Sequence, residues 1–228
     1  MKIISSNQLL HYNLLMLKAK LHKFATHLDQ LKYNKRALLW IMAIDAALAI
    51  SSNVVDWPWL IRVPTNVVIF APICSLYPTL LLIWFALFYF KKKIPTWFTT
   101  FIFMGIVSYG VMAWIYFPAY MSWNGINFHD VGSIAWVTAY ALQAFILASE
   151  LKKLPVYQYA LIFGYFFIKD YSDRNWGTFL DVLLDSYPEN LKLFLTVTLV
   201  TIHLFTAGLI LHLNHRRKSR TSHSSQSS

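Results

Sequence analysis

Apolar residues gather into six long stretches, 37–55, 66–90, 96–118, 130–149, 154–172 and 192–213, and short polar loops separate them. A helix needs about 20 apolar residues to cross the ~30 Å hydrocarbon core of a bilayer, and each stretch is close to that length. In lipid every backbone N–H and C=O must be satisfied within the chain, so such stretches span as helices. The pattern predicts an all-α membrane protein, a bundle of six transmembrane helices filling residues 37–213.

A second periodicity precedes the first span. Leu10, Leu14, Leu17, Leu21, Phe24, Leu28 and Leu31 recur with alternating spacings of four and three, one apolar stripe along a helix. The flanking positions hold His11, Asn13, Lys18, Lys20, Ala25, His27 and Lys32, with no acid among them. A parallel coiled coil would set Lys against Lys across its seam. An amphipathic helix lying in the plane of the membrane, on anionic cytoplasmic lipid, fits the same residues without that conflict. A docking helix for a protein partner is the other reading. Residues 1–36 are thus a basic cytoplasmic segment, and the basic, Ser-rich residues 214–228 are expected to be a disordered tail.

Charge placement orients the bundle. Lys2, Lys18, Lys20, Lys23, Lys32, Lys35 and Arg36 precede the first span; Lys91, Lys92 and Lys93 follow the second; Lys152 and Lys153 follow the fourth; Arg216, Arg217, Lys218 and Arg220 follow the sixth. Only Arg62, Lys169, Arg174 and Lys192 fall on the opposite side. The positive-inside rule places both termini in the cytoplasm, with the cell membrane as the location. Asp56, Asp130, Asp170, Asp173, Asp181, Asp185 and Glu189 make the other face acidic.

Composition agrees with this reading. Hydrophobic residues are 57% of the 228, charged residues only 13%, and nine Trp and 17 Phe are present, more apolar matter than a soluble domain of this size carries. The net charge of +10 is explained by the alternate loops, so nucleic acid is not an expected partner. Cys74 is the one cysteine, which excludes an internal disulfide and a C-x-x-C site. The first 36 residues lack the apolar core and A-x-A-like site of a cleaved signal peptide.

Few residues offer chemistry. Asp45 falls near the middle of the first span, where an ionised carboxylate costs roughly 2.5–3.5 kcal/mol and usually faces the bundle interior. His203 in the sixth span is the obvious titratable partner for it, although a lone His in a membrane helix more often bonds between helices. The fifth span carries only 15 uncharged residues, Leu154 to Ile168, before Lys169, Asp170, Asp173 and Arg174. These charges form two i,i+4 pairs, either a self-neutralised helix end or a mouth-facing site joined by Arg62, His129 and Asp130. Pro72 and Pro78 kink or unwind the second span, and Tyr109, Gln143 and Tyr165 are polar groups placed for interhelical hydrogen bonds. No H-E-x-x-H, G-x-S-x-G, Walker or dinucleotide motif occurs, and no metal site or cofactor is expected.

Several of these residues, taken in order, resemble the YpjA-like family of small bacterial integral membrane proteins over about residues 37–213. The likeness rests on Phe70-Ala71-Pro72 with Pro78, Tyr109-Gly110 followed by Trp114, Ala141-Leu142-Gln143, and above all Asp170-x-x-Asp173. Lys169 and Arg174 stand where that family's signature has Asn and Tyr, the first span has Asp45 and no glycine where an Asn- and Gly-bearing pattern is expected, and the acid expected beside the second-span prolines is missing. The resemblance implies six spans and the importance of Asp170 and Asp173, and no reaction.

The expectation is a protein that binds or translocates a small solute, ion or lipid head group. Its site would face the extracytoplasmic side, built from Lys169, Asp170, Asp173, Arg174 and Asp130, with Asp45 and His203 deeper. A membrane-embedded regulatory or assembly partner is the alternative, and a lipid-modifying enzyme is least favoured for want of a nucleophile–base pair.

Overall fold

The computed structural model describes residues 6–61, 76–126, 128–175 and 189–224, and every element among them is a helix. In chain order these are α1 (Ser6–Leu31), α2 (Lys35–Leu60), α3 (Leu76–Tyr89), α4 (Thr96–Asn124), α5 (Phe128–Leu142), α6 (Ala144–Ala148), α7 (Val156–Asn175) and α8 (Glu189–Ser224). Four runs are long and apolar enough to cross a membrane: Lys35–Val54, Thr96–Ser122, Val131–Ala148 across α5 and α6, and Glu189–Asn214. They mark the chain as a membrane protein. The short apolar helix α3 is described only from Leu76, because 62–75, with Arg62, Phe70, Pro72 and Cys74, lie outside the described residues. The charged end of α7 keeps that helix from qualifying as a span by itself.

The helices α2, α7 and α8 each bury one stripe, whereas α4 is buried on most sides. On α2 the stripe is Leu38, Asp45, Ala49 and Ser52; on α7, Tyr159, Ile162, Phe166, Lys169 and Asp170; on α8, Leu195, Leu199, His203, Thr206 and Ile210. These spacings of three, four and seven are one face of a 3.6-residue helix. The opposite faces leave Trp40, Ile50, Val54, Leu161, Val197, Leu204 and Phe205 exposed, an apolar outer surface fitted to lipid. The centre is aromatic: Tyr77, Trp84, Phe85, Tyr140 and Phe166 are almost wholly buried. Trp84 gives its indole N–H to Thr99 at 3.0 Å, which satisfies the one polar group that its ring brings inside.

The pairs α4–α5 and α7–α8 run antiparallel, and their contacts fix the register. Gly110 of α4 lies against Ala141 of α5, and four residues on Trp114 donates to Thr138 at 3.0 Å. On α7 and α8, Tyr159 accepts from Asn214 at 2.8 Å, and eleven residues along each helix Asp170 meets His203. The loop from α3 to α4 is tight. Lys91 adopts φ 52° and the Lys92 amide reaches back to the Leu87 carbonyl at 2.8 Å, a helix stop built without glycine.

The basic loops gather at one end. Tyr33 stacks edge-on against Phe88 before the Lys91–Lys93 turn, and Lys32 bonds Asp29 at 2.6 Å, Glu150 at 2.7 Å and the Ser149 hydroxyl. Lys32, a flanking position of the apolar stripe, is 2% exposed. It ties the C-terminal turn of α1 to the end of α6. Burial alone disfavours its charge, but the carboxylates of Asp29 and Glu150 outweigh that and hold its pKa above the usual lysine value.

The fourth stretch, 130–149, forms the run Val131–Ala148, interrupted at Gln143, where the chain tightens to an i−3 bond from the Gln143 amide to Tyr140. One expectation about element limits needs correction. The tail is helical as far as Ser224 rather than disordered from residue 214. Extending an existing helix orders one residue per hydrogen bond with no new nucleus.

A Cβ at Gly110 would lie 2.4 Å from Ala141 Cβ, whereas one at Gly164 meets nothing within 4 Å. Gly110→Ala is therefore expected to lose about 1–3 kcal/mol and Gly164→Ala to be neutral or better, read as melting temperature in detergent. A second outcome concerns Lys32. Because its folded pKa is raised, its contribution is complete below the unfolded lysine value and fades as pH rises through the folded one. Lys32→Met should cost roughly 1–3 kcal/mol, unchanged between about pH 7 and 9, with the gap to the native protein closing only above the ordinary lysine pKa of 10.5.

Candidate functional site

Two polar pairs sit inside the bundle, and each arises where a helix's buried stripe happens to contain a charge or an amide. The stripe of α7 runs Ile162, Phe166, Asp170, and that of α8 runs Leu199, His203, Thr206. Antiparallel packing brings Asp170 Oδ2 to 2.6 Å from His203 Nδ1. Asp170 is 3% exposed and His203 not at all. The His203 ring rests against Phe166, centroids 5.0 Å apart, and meets Tyr109 of α4 edge-on at 5.6 Å. Tyr77 of α3 packs on the far side of Tyr109 at 5.4 Å. Lys169 is fully buried beside Asp170, with its ammonium 5.9 Å from the Tyr109 ring centroid. Just beyond, Ser108 and Thr206 share a hydrogen bond at 3.2 Å that joins α4 to α8.

The pair is not fully satisfied. Asp170 Oδ1 and His203 Nε2 are buried with no hydrogen-bond partner among the described residues. Whichever protonation state the imidazole takes, one group is left open at Nε2, a lone pair in the neutral Nδ1–H tautomer or an N–H in the cation. A buried unmatched polar group costs about 1–3 kcal/mol, so the arrangement favours whatever proton, ion or polar ligand can complete it.

The second pair joins α2 to the break in the fourth apolar run. Gln143 Nε2 donates to Asp45 Oδ1 at 2.7 Å, both residues buried. Asp45 Oδ2 and Gln143 Oε1 are buried with no hydrogen-bond partner among the described residues. Gln143 stands seven residues short of Glu150, which sets this pair about 10 Å inside the basic end of the bundle.

The expected site therefore divides. Asp45 and His203 do not meet: each takes a different partner, because the α2 stripe faces Gln143 and the α8 stripe faces α7. Asp170 is buried, five residues before the end of α7 at Asn175. The helix α7 continues to Asn175, and His203 lies near the middle of the Glu189–Asn214 run. The side chains of Asp130, Asp173, Arg174 and His129 lie outside the described structure, as does that of Asp56. Gln143, Tyr109, Ser108 and Thr206 complete the polar interior. The signal for them was available in the spacing, since each falls on the inward stripe of its helix. Among the described residues no group of His, Cys, Asp and Glu is arranged to hold a metal ion.

No family model, curated protein or solved structure matches the chain.

Breaking a buried pair by removing one partner typically costs 3–5 kcal/mol, whereas neutral hydrogen bonds between membrane helices average ~0.6 kcal/mol. Asp170→Asn and His203→Gln are each expected to fall in the larger range, and the double variant to lose less than their sum. Unfolding in detergent measures this cycle; a coupling no larger than that of a neutral bond would mean that the two side chains do not act as a charged pair.

Proposed function

We propose that the chain is a six-span protein of the cell membrane, with both termini cytoplasmic, which binds and translocates a small solute or ion and carries protons on the Asp170–His203 pair. The six-span topology draws support from the alternation of basic loops and from their assembly at one end of the helices. The function is carried by one observation: a carboxylate and an imidazole, 2.6 Å apart and buried among aromatic rings, with one open position on each. Ionisable groups at such depth are costly, and where they persist they usually serve as relays or ion sites.

The chemistry of the pair suits this role. A proton arriving at Nε2 makes the imidazole a cation, which Asp170 stabilises through Nδ1–H; its loss restores the neutral ring. Lys169, held beside Asp170 against Tyr109, sets the local charge balance, so the gain or loss of one proton changes whether the cluster is neutral. A change of that kind in a medium of low dielectric shifts helix packing strongly. Asp45, bonded to Gln143 nearer the basic end, is a second buried acid on that side of the pair.

The test uses purified protein in sealed liposomes that contain a pH-sensitive dye, with a potassium diffusion potential as the driving force. Native protein should acidify or alkalinise the lumen according to the sign of the potential. His203→Gln and Asp170→Asn should slow this on the order of a hundredfold, as expected when a positioned proton-transfer group is lost. Equal flux in native and variant proteins, or native flux no greater than that of empty liposomes, overturns the reading.

A further inference from the structure

The apolar stripe of α1 is used at one end and bare at the other. Phe24 meets Phe145 of α6 edge-on at 5.9 Å, Leu28 packs on the core, and Lys32 closes the contact on Glu150 and Ser149. Toward the N-terminus the same stripe continues through Leu21, Leu17 and Leu14, which are 51%, 54% and 55% exposed. At 100° per residue Lys18 and Lys20 flank this stripe on either side. All lysines from Lys18 to Lys23 are exposed, and no acid occurs between Asn13 and Leu28.

The depth of the bare stripe identifies what covers it. From Lys32 to Phe24 is about 12 Å along α1, and from Glu150 to Phe145 about 7 Å along the other helix. Helix α1 thus crosses the end of α6 obliquely and does not extend away from it. Phe145 belongs to the apolar run Val131–Ala148, so the stripe leaves the bundle level with the last turns of a spanning segment. Head groups and acyl chains meet at that level. A second copy of the chain would oppose lysine to lysine there; an anionic lipid surface opposes each lysine with a phosphate.

We propose that α1, from its N-terminus to Leu28, is an in-plane anchor for anionic phospholipid. Leu14, Leu17 and Leu21 enter the acyl boundary, and Lys18 and Lys20 hold the phosphates beside them. The Lys32 cluster ties this anchor to the end of α6.

The test uses the full chain, one copy per nanodisc, in phosphatidylcholine alone or mixed with phosphatidylglycerol. A nitroxide replaces Leu21 or Ala19, on opposite faces of α1, in a Cys74→Ser background. In discs with phosphatidylglycerol the Leu21 label should be reached by oxygen and shielded from a neutral nickel chelate, and the Ala19 label the reverse. Lys18→Gln and Lys20→Gln should each lower the docked-to-released ratio roughly fivefold, and added salt should act in the same direction. Unlabelled native chain gives an independent readout: trypsin should cut at Lys18, Lys20 and Lys23 more slowly in the anionic discs. Equal nickel access to both labels would show a free helix. Shielding that is the same without anionic lipid, or that appears only when two copies share a disc, overturns the anchor in favour of apolar contact or a dimer.

Discussion

Inside a bilayer no water is available to a polar side chain, and that constraint organises this protein. Each charge or amide on an inward stripe must be met by another helix or remain unmatched at a cost of kilocalories. Among the described residues such ties include Lys32 with Asp29, Ser149 and Glu150, Asp45 with Gln143, and Asp170 with His203. Between them they join α1 to α6, α2 to the α5–α6 break, and α7 to α8. Apolar contacts supply most of the buried area, but they are tolerant of sliding; a donor and an acceptor at 2.6 Å are not. The register of the bundle therefore rests on a few polar pairs set in aromatic packing.

The ties differ in how completely they are satisfied, and the difference separates structure from function. Lys32 has three partners and a raised pKa, the profile of a permanent latch. The two interior pairs each leave atoms open, Asp45 Oδ2 with Gln143 Oε1 and Asp170 Oδ1 with His203 Nε2. A fold selected for rigidity alone would fill these positions with Leu or Phe at similar volume. Retaining incomplete pairs in the driest part of the molecule is the arrangement expected of groups that change protonation or exchange a ligand. Gly105 and Gly110 serve the same region by allowing close approach, Gly105 beneath the Tyr77 ring and Gly110 against Ala141, so that Tyr109 can reach His203.

The pattern of apolar runs and basic loops determined the helical class, the membrane environment and the approximate limits of α2, α4 and the α5–α6 run, because burial in lipid is a property of local composition. It also determined the amphipathic α1 and singled out Asp45, Asp170 and His203, since an ionisable group in an apolar run is conspicuous without any structure. Who meets whom was decided only by the tertiary fold. A periodicity shows that Asp45 and His203 each face inward; it does not show the angle at which two inward faces meet, and a rotation of one helix by a single residue exchanges the partner. For the same reason Lys32 read only as a flank of the apolar stripe, its carboxylate partner Glu150 being 118 positions away, and the pairing of Asp170 with His203 was not visible. Local chemistry is written along the chain, but pairing depends on helix rotation and register, which only packing sets.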